Sequence, residues 1–280
     1  MDFQPDSTQL AKAQAFKKLH ERDGIFVVPN PWDAGSAKML QSIGFEALAT
    51  TSAGLAFSLG KSDGDCSVTL EDALANARSI VSATGIPVSA DLENGYGIDP
   101  EICAETIMLA ARTGLAGGSI EDTTGRPEDP ILPFELSVER IKAAVKAAKS
   151  LPFPFMLTAR AENLIYGRPD LNDTIKRLEA FADAGADVLF APGIKTPHEI
   201  ALVVKAVAPR PVNVVMGLNN CDLSLNQLED LGVKRVSLGS SLARAAYSAF
   251  INGAKEIHQH GTFNFAGNAI SYAEINNLFK

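Results

Sequence analysis

The sequence predicts a single (β/α)8 barrel, and three observations carry that reading. Eight short apolar runs, at 25–28, 47–52, 86–91, 116–120, 155–160, 187–191, 212–216 and 234–238, are each too short for a helix and read as buried strands. Helical segments with recognisable start signals separate them. No linker divides the chain and no glycine-rich dinucleotide fingerprint follows the first run, which disfavours a doubly wound sheet with a second domain.

Taken in order, residues 7–22 read as a leading helix closed by Asp23-Gly24. Ile25-Phe-Val-Val28 follows as the first strand and ends at Pro29-Asn-Pro-Trp-Asp33. Thr69 with Asp72 three residues on marks a helix start. Asp99 before Pro100, Ser137 before the Val138/Ile141/Val145/Ala148 stripe, and the capping box Thr196-Pro-His-Glu199 mark three more. A last helix over 240–258 is followed by a polar and aromatic tail, 259–280, that a minimal barrel does not need. Residues 1–280 therefore read as one domain, with helix 7–22 and the tail expected at a subunit interface.

Composition narrows the function classes. With 46% hydrophobic residues over 280 positions, the chain can bury one large core. A net charge of -8 and no basic cluster argue against nucleic acid or an anionic membrane as the main partner. Cys66, Cys103 and Cys221 share no metal-ligand spacing, which disfavours a disulfide framework and a zinc site and suits a reducing cytoplasm. Cys103 falls in an apolar stripe with Ile107 and Ala110 and reads as core. The N-terminus lacks a signal-peptide pattern, and no stretch reaches about 18 apolar residues, so a soluble cytoplasmic protein is expected.

Barrel enzymes work at the C-terminal ends of their strands, and polar residues gather at five of those ends. Asp91 and Glu93, two residues apart at the end of the third strand, point the same way. Like charges that close need a cation between them or a shared proton. Glu121 from the next strand adds a third carboxylate, and the loop Lys61-Ser-Asp-Gly-Asp65 brings Asp63. Three converging carboxylates favour a metal over an acid/base dyad. An all-oxygen set without His or Cys suits Mg2+, with Mn2+ as the alternative. Arg160 has the planar fork that grips a carboxylate or phosphate, and its competing role is an ion pair with Glu121 or Glu162. Ser52-Ala-Gly-Leu55 offers backbone N–H groups toward a developing oxyanion. Gly239-Ser-Ser241 reads equally as an anion site or a plain helix cap.

Along most of its length the chain resembles the isocitrate lyase and phosphoenolpyruvate mutase superfamily, and within it the short phosphoenolpyruvate mutase-like branch. The matching segments are Pro29-Asn-Pro-Trp-Asp-Ala34, Thr51-Ser-Ala-Gly-Leu55, Leu59-Gly-Lys-Ser-Asp63, Asp91-Leu-Glu-Asn-Gly-Tyr-Gly97, Ile120-Glu-Asp122, Ala159-Arg-Ala161 and Val236-Ser-Leu-Gly239. The resemblance implies a Mg2+-dependent barrel with Asp91 as the main protein ligand, and Glu93, Glu121 and Asp63 acting mostly through water. It implies that Arg160 and the backbone of Ala53 to Leu55 hold a 2-oxo acid or its enolate. It also implies a last helix exchanged between subunits of a homodimer or homotetramer. Trp32, Ser52, Ala53, Gly54, Leu55 and Arg160 are the expected substrate contacts, and Asp63, Arg160, Tyr96 and Lys61 the expected catalytic group.

The departures bear on the reaction. Lyases of the family carry a Lys-Lys-Cys-Gly-His loop after the fourth strand, whereas this chain reads Thr123-Thr-Gly-Arg-Pro-Glu-Asp129 and has no Cys there. The mutases carry an Asn in that loop, and none lies between 123 and 136. The remaining set suits a pyruvate-type enolate. Decarboxylation of a 2-oxo dicarboxylate such as oxaloacetate asks least of it, since only a late proton donor is needed, with Tyr96, Lys61 or a water as candidates. The expectation is a carbon–carbon lyase acting on a small 2-oxo or 2-hydroxy di- or tricarboxylate, with loops 55–68 and 122–136 closing over the site. Phosphonopyruvate or phosphoenolpyruvate chemistry is the rival, and a glycosidase on Glu93 and Glu121 stands further off. A barrel that binds a carboxylate without turnover is the alternative of another class.

Overall fold

The computed structural model describes residues 4–64, 67–217 and 222–280; Asp65, Cys66 and Cys221 lie outside the described residues. Eight parallel strands run β1 (Phe26–Val28), β2 (Leu48–Ala49), β3 (Val88–Asp91), β4 (Gly117–Glu121), β5 (Met156–Arg160), β6 (Val188–Phe190), β7 (Val212–Val215) and β8 (Arg235–Ser237). Their order is β1-β8-β7-β6-β5-β4-β3-β2, and the Ala49 N–H donates to the Pro29 carbonyl at 3.1 Å across the remaining seam. The result is a nearly closed (β/α)8 barrel, as the alternating pattern predicts.

Asn30, just past β1, holds that seam together. Its amide nitrogen donates to the Thr50 carbonyl at 2.9 Å, while its oxygen accepts from the N–H groups of Leu238 and Gly239 at 2.7 and 3.0 Å. One side chain thus ties the C-terminal ends of β1, β2 and β8. At the opposite end, α1 (Ser7–Glu21) lies under the same chain's barrel. Gln9 donates to the carbonyls of Ala111 and Leu115, and Lys12 to that of Thr84, residues that precede β3 and β4. Phe16, His20 and Phe26 meet edge to face, with ring centroids 4.7 to 6.5 Å apart, and close the bottom.

The remaining helices are α2 (Ala34–Ile43), α3 (Ser52–Ser58), α4 (Leu70–Ala83), α5 (Pro100–Ala111), α6 (Phe134–Ser150), α7 (Leu171–Ala184), α8 (Pro197–Val207), α9 (Leu225–Asp230), α10 (Ser241–His260) and α11 (Tyr272–Asn277). The capping boxes at Thr69/Asp72 and Thr196/Glu199 form as expected. Two boundaries differ from expectation. α6 begins at Phe134 behind Pro133, and Ser137 sits inside its first turn, with its hydroxyl donating to the Pro133 carbonyl at 3.0 Å instead of capping. The second strand stops at Ala49, because Thr51 caps α3 and accepts from the Gly54 N–H at 3.2 Å.

Cys103 is buried in the core, as its apolar stripe implies. α10 is different: only Ala243 and Gly253 of its twenty residues are buried, and Phe250 is 73% exposed. The tail beyond it, a 3-10 turn at Asn264–Asn268 and α11, has no buried residue. Among the described residues no helix is long and apolar enough to cross a membrane.

Candidate active site

The C-terminal mouth of the barrel opens into a cavity of about 210 Å3, whose wall includes Asp63, Asp91 and Arg160 together with Ser52 and Ala53. Strand pairing explains the convergence. Glu121 lies opposite Arg160 across the β4–β5 ladder, and Asp91 ends the neighbouring strand. Arg160 meets three carboxylates at once: Nη1 to Asp91 Oδ1 at 3.0 Å, Nη2 to Glu121 Oε2 at 3.1 Å and Nε to Glu162 Oε1 at 2.7 Å. Its guanidinium also lies over the Phe190 ring, 5.1 Å from the centroid. The ion pairs that the sequence offered as Arg160's competing role are therefore present with both Glu121 and Glu162. Among the described residues, two of its five N–H donors are left over at the cavity wall.

A second tier holds these partners. Glu121 accepts from the Thr123 hydroxyl at 2.8 Å. The Glu162 N–H donates to Asp122, which in turn pairs with Arg177 at 3.1 Å. Asp91 receives three donors: the Arg160 fork, the Glu93 N–H at 3.2 Å and the Ser52 N–H at 3.4 Å. The turn after β3 is strained. Glu93 and Tyr96 take φ of 47° and 59°, in the left-handed region that non-glycine residues avoid, with Gly95 at 76° between them. Arg140, 1% exposed, holds this turn from beneath by donating to the carbonyls of Asn94, Gly97 and Ile98.

The charge balance is acidic. Around Arg160 stand Asp63, Asp91, Glu93, Glu121 and Glu162. Burial, reinforced by Asp91, Glu121 and Asp63, pushes the Glu93 carboxyl up to about 8. Burial raises Glu121 and Glu162 as well, and Arg160 draws both back. Among the described residues no three His, Cys, Asp or Glu side chains form a ready-made metal cluster, and Asp91 and Glu121 each give one oxygen to Arg160. Mg2+ does not need such a cluster: one or two carboxylates and several waters suffice. The second oxygen of Asp91 faces only the long Ser52 contact, so the donor set fits a hard cation held mainly by Asp91.

Several expected site residues lie elsewhere. The N–H groups of Gly54 and Leu55 are spent on Thr51, through the cap and the first helical turn, so only Ser52 and Ala53 of that segment line the cavity. Lys61 pairs with Asp72 at 2.9 Å, away from the cavity wall. The Tyr96 side chain is hydrogen-bonded to Glu93, and burial raises its phenol well above the ordinary value. Trp32 does not line the cavity, and its carbonyl accepts from Asn76 of α4 at 2.8 Å. Glu93 and Glu121 stand behind Asp91 and Arg160 and do not form the wall. The loop after β4 is pinned as a small hairpin, with a Thr123–Ile131 bridge, the Thr124 N–H on the Pro130 carbonyl at 2.9 Å and Arg168 on Asp129 at 3.0 Å. Asn30, Thr50, Asn213 and Arg235 also reach the cavity. Their signal in the sequence was a polar side chain inside or just past an otherwise apolar strand run.

An eight-stranded barrel whose mouth carries an acidic cluster clamped by one arginine defines the class of protein. The chain belongs to the phosphoenolpyruvate phosphomutase family, whose model matches residues 16–258. It is 56% identical to a Burkholderia cenocepacia J2315 protein described as a lyase/mutase, with a TM-score of 0.95 over 98% of this chain and 97% of that one. It is 27% identical to oxaloacetate acetylhydrolase, solved with the product oxalate, with a TM-score of 0.86 over 96% and 94% of the two chains. It is also 32% identical to 2-methylisocitrate lyase of Salmonella typhimurium over 188 residues, 65% of this chain and 62% of that one.

Proposed function

We propose that this protein is a lyase that breaks a carbon–carbon bond of a small 2-oxo or 2-hydroxy di- or tricarboxylate through a pyruvate-type enolate. The observation that carries this reading is the convergence of Asp63, Asp91 and Arg160 on one cavity, with Glu121 braced against Arg160 behind them and the Ser52 and Ala53 backbone beside them. Relatives that act on oxaloacetate and 2-methylisocitrate support it. A divalent cation, Mg2+ or Mn2+, would be held by Asp91, with Glu93, Glu121 and Asp63 around it, and would polarise the 2-oxo group as a Lewis acid.

The chain's own residues do the rest. The two remaining N–H groups of Arg160 grip the carboxylate next to the 2-oxo carbon, and the three carboxylates behind them hold the fork still. The Ala53 N–H group, in a first helical turn with no intrahelical partner, faces the oxygen on which charge builds, while the Ser52 N–H steadies Asp91. Neither Tyr96 nor Lys61 faces the cavity, and the hairpin after β4 carries no cysteine. Decarboxylation fits that set best, because carbon dioxide leaves unaided and a water entering the mouth can protonate the enolate.

Pyruvate release from oxaloacetate, methylisocitrate and phosphonopyruvate, with and without chelator, tests the reading. Chelator-sensitive pyruvate from either carboxylate substrate is expected. Pyruvate from none of the three, with Mg2+ still bound, would leave a carboxylate-binding barrel. A phosphorus resonance moving between phosphonate and phosphate ester would favour the mutase instead. The open apolar face of α10 supports a homodimer or homotetramer in which a second copy covers it.

A further inference from the structure

Barrels of this class mostly fill their interior with layers of bulky branched side chains. Here the layer one pleat below Asp91, Glu121 and Arg160 is polar on β3 to β5, with Ser89, Ser119 and Thr158 each two residues earlier on the same strand, and Asn213, Arg235 and Ser237 add polar side chains from β7 and β8 to the same interior. Arg235 is 5% exposed, yet among the described residues it makes no ion pair. Its donors go to neutral oxygens and a ring nitrogen: Asn213 Oδ1 at 2.8 Å, Thr158 Oγ1 at 2.9 Å and His20 Nε2 at 3.4 Å. His20 gives its other ring nitrogen to the Phe16 carbonyl at 2.8 Å, so a neutral ring satisfies both contacts and adds no counter-charge. Burial pushes the Arg235 guanidinium down to about 9, the direction expected of a cation without a partner.

A buried charge without a counter-ion is costly, and natural interiors rarely keep one. The layer is not sealed off. Ser89, Ser119, Asn213, Arg235 and Ser237 line the same cavity as Asp91 and Arg160. We infer that Arg235, with Asn213 and the serines around it, forms the floor of the substrate pocket and receives a second carboxylate, which restricts the substrate to dianions with carboxylates at both ends. Thr158, to which Arg235 donates, lies two residues before Arg160 on β5, a rise of roughly 7 Å that suits the end-to-end reach of a four- or five-carbon dicarboxylate standing upright between the two arginines. The inference rests on the lyase reading for its substrate class, while the anion floor itself stands on the geometry.

Two probes separate those layers. In titration calorimetry with Mg2+ present, oxalate spans only the mouth, whereas 3,3-difluorooxaloacetate, a four-carbon dianion, reaches the floor. Arg235→Met should leave the oxalate affinity within about threefold and weaken the four-carbon probe by about 30-fold or more, and Arg235→Lys should keep most of the latter. Equal loss for both probes, or for neither, overturns the floor. Crystals of the full chain soaked in bromide supply the arm that does not depend on the lyase reading. An anomalous peak against Arg235 that vanishes in Arg235→Lys and Arg235→Met, or that is absent from wild type, overturns the charge argument; a peak kept by the lysine variant and lost in the methionine one supports it. If oxalate fails to bind while bromide occupies the floor, the lyase reading falls and the anion floor stands.

Discussion

Arg160 Nη1 lies 3.0 Å from Asp91 Oδ1, while the same guanidinium reaches Glu121 at 3.1 Å and Glu162 at 2.7 Å. One cation thus orders three carboxylates from three different segments, and Glu162 is 1% exposed. Removing the arginine leaves buried negative charge behind. Arg160→Met should lower stability by about 3–5 kcal/mol, read as a fall in denaturant midpoint. A midpoint unchanged from wild type would mean that the carboxylates do not depend on the fork.

In the proposed site Asp91 would be the main ligand of a hard cation, since among the described residues its second oxygen carries only the 3.4 Å contact from Ser52. Asp91→Ala should abolish Mg2+ binding by calorimetry and lower activity by at least about 100-fold. Mg2+ affinity equal to wild type would show that another carboxylate is the ligand.

Arg140 holds the strained turn through the carbonyls of Asn94, Gly97 and Ile98. Arg140→Met should cost about 1–3 kcal/mol and speed amide hydrogen exchange across residues 94–98. Wild-type exchange in that turn would show that the glycines and Leu92 suffice to hold Glu93 in its left-handed conformation.

His20 contributes a pH dependence of known sign. Burial, helped by Arg235, lowers its ring to about 3 from an ordinary 6.5. Between those values the unfolded chain takes up a proton that the folded chain refuses, so stability is full above about 6.5 and falls as pH drops toward 3. Relative to wild type, His20→Phe should gain about 1.4 kcal/mol for each pH unit below 6.5. Parallel stability curves for the two proteins would place the titrating group elsewhere.

The fold was largely legible in the sequence because strands buried on both faces read as short apolar runs, and all eight fall within a few residues of those observed. At the mouth, Asp91 falls at the strand end where the sequence puts it, whereas Glu93 lies past the strand in a left-handed turn and does not share the wall with it, because β3 stops at Asp91 and strand alternation no longer applies. The site was less legible where contacts depend on tertiary arrangement. Nothing local separates an arginine that grips substrate from one that also clamps Glu162, and the small residues at Ser52–Leu55 do not reveal that a helical turn consumes two of their N–H groups. Asn213 and Arg235 were hidden by the apolar runs around them, since a run read as core draws attention away from one polar member.

The apolar face of α10 is open in the single chain, and the proposed second copy would cover it. Phe250→Glu should shift the protein toward monomer in sedimentation equilibrium, because the phenyl ring is 73% exposed in one chain. An unchanged mass would place the subunit contact on another surface.

The central claim is that this pocket stabilises a pyruvate-type enolate, and it can be tested without knowing the natural substrate. Pyruvate dissolved in D2O with the protein and Mg2+ should lose its methyl proton signal faster than in controls. The account predicts that the exchange stops with chelator and in both Asp91→Ala and Arg160→Met. A methyl signal that persists at the uncatalysed rate while Mg2+ and pyruvate are both bound would contradict it.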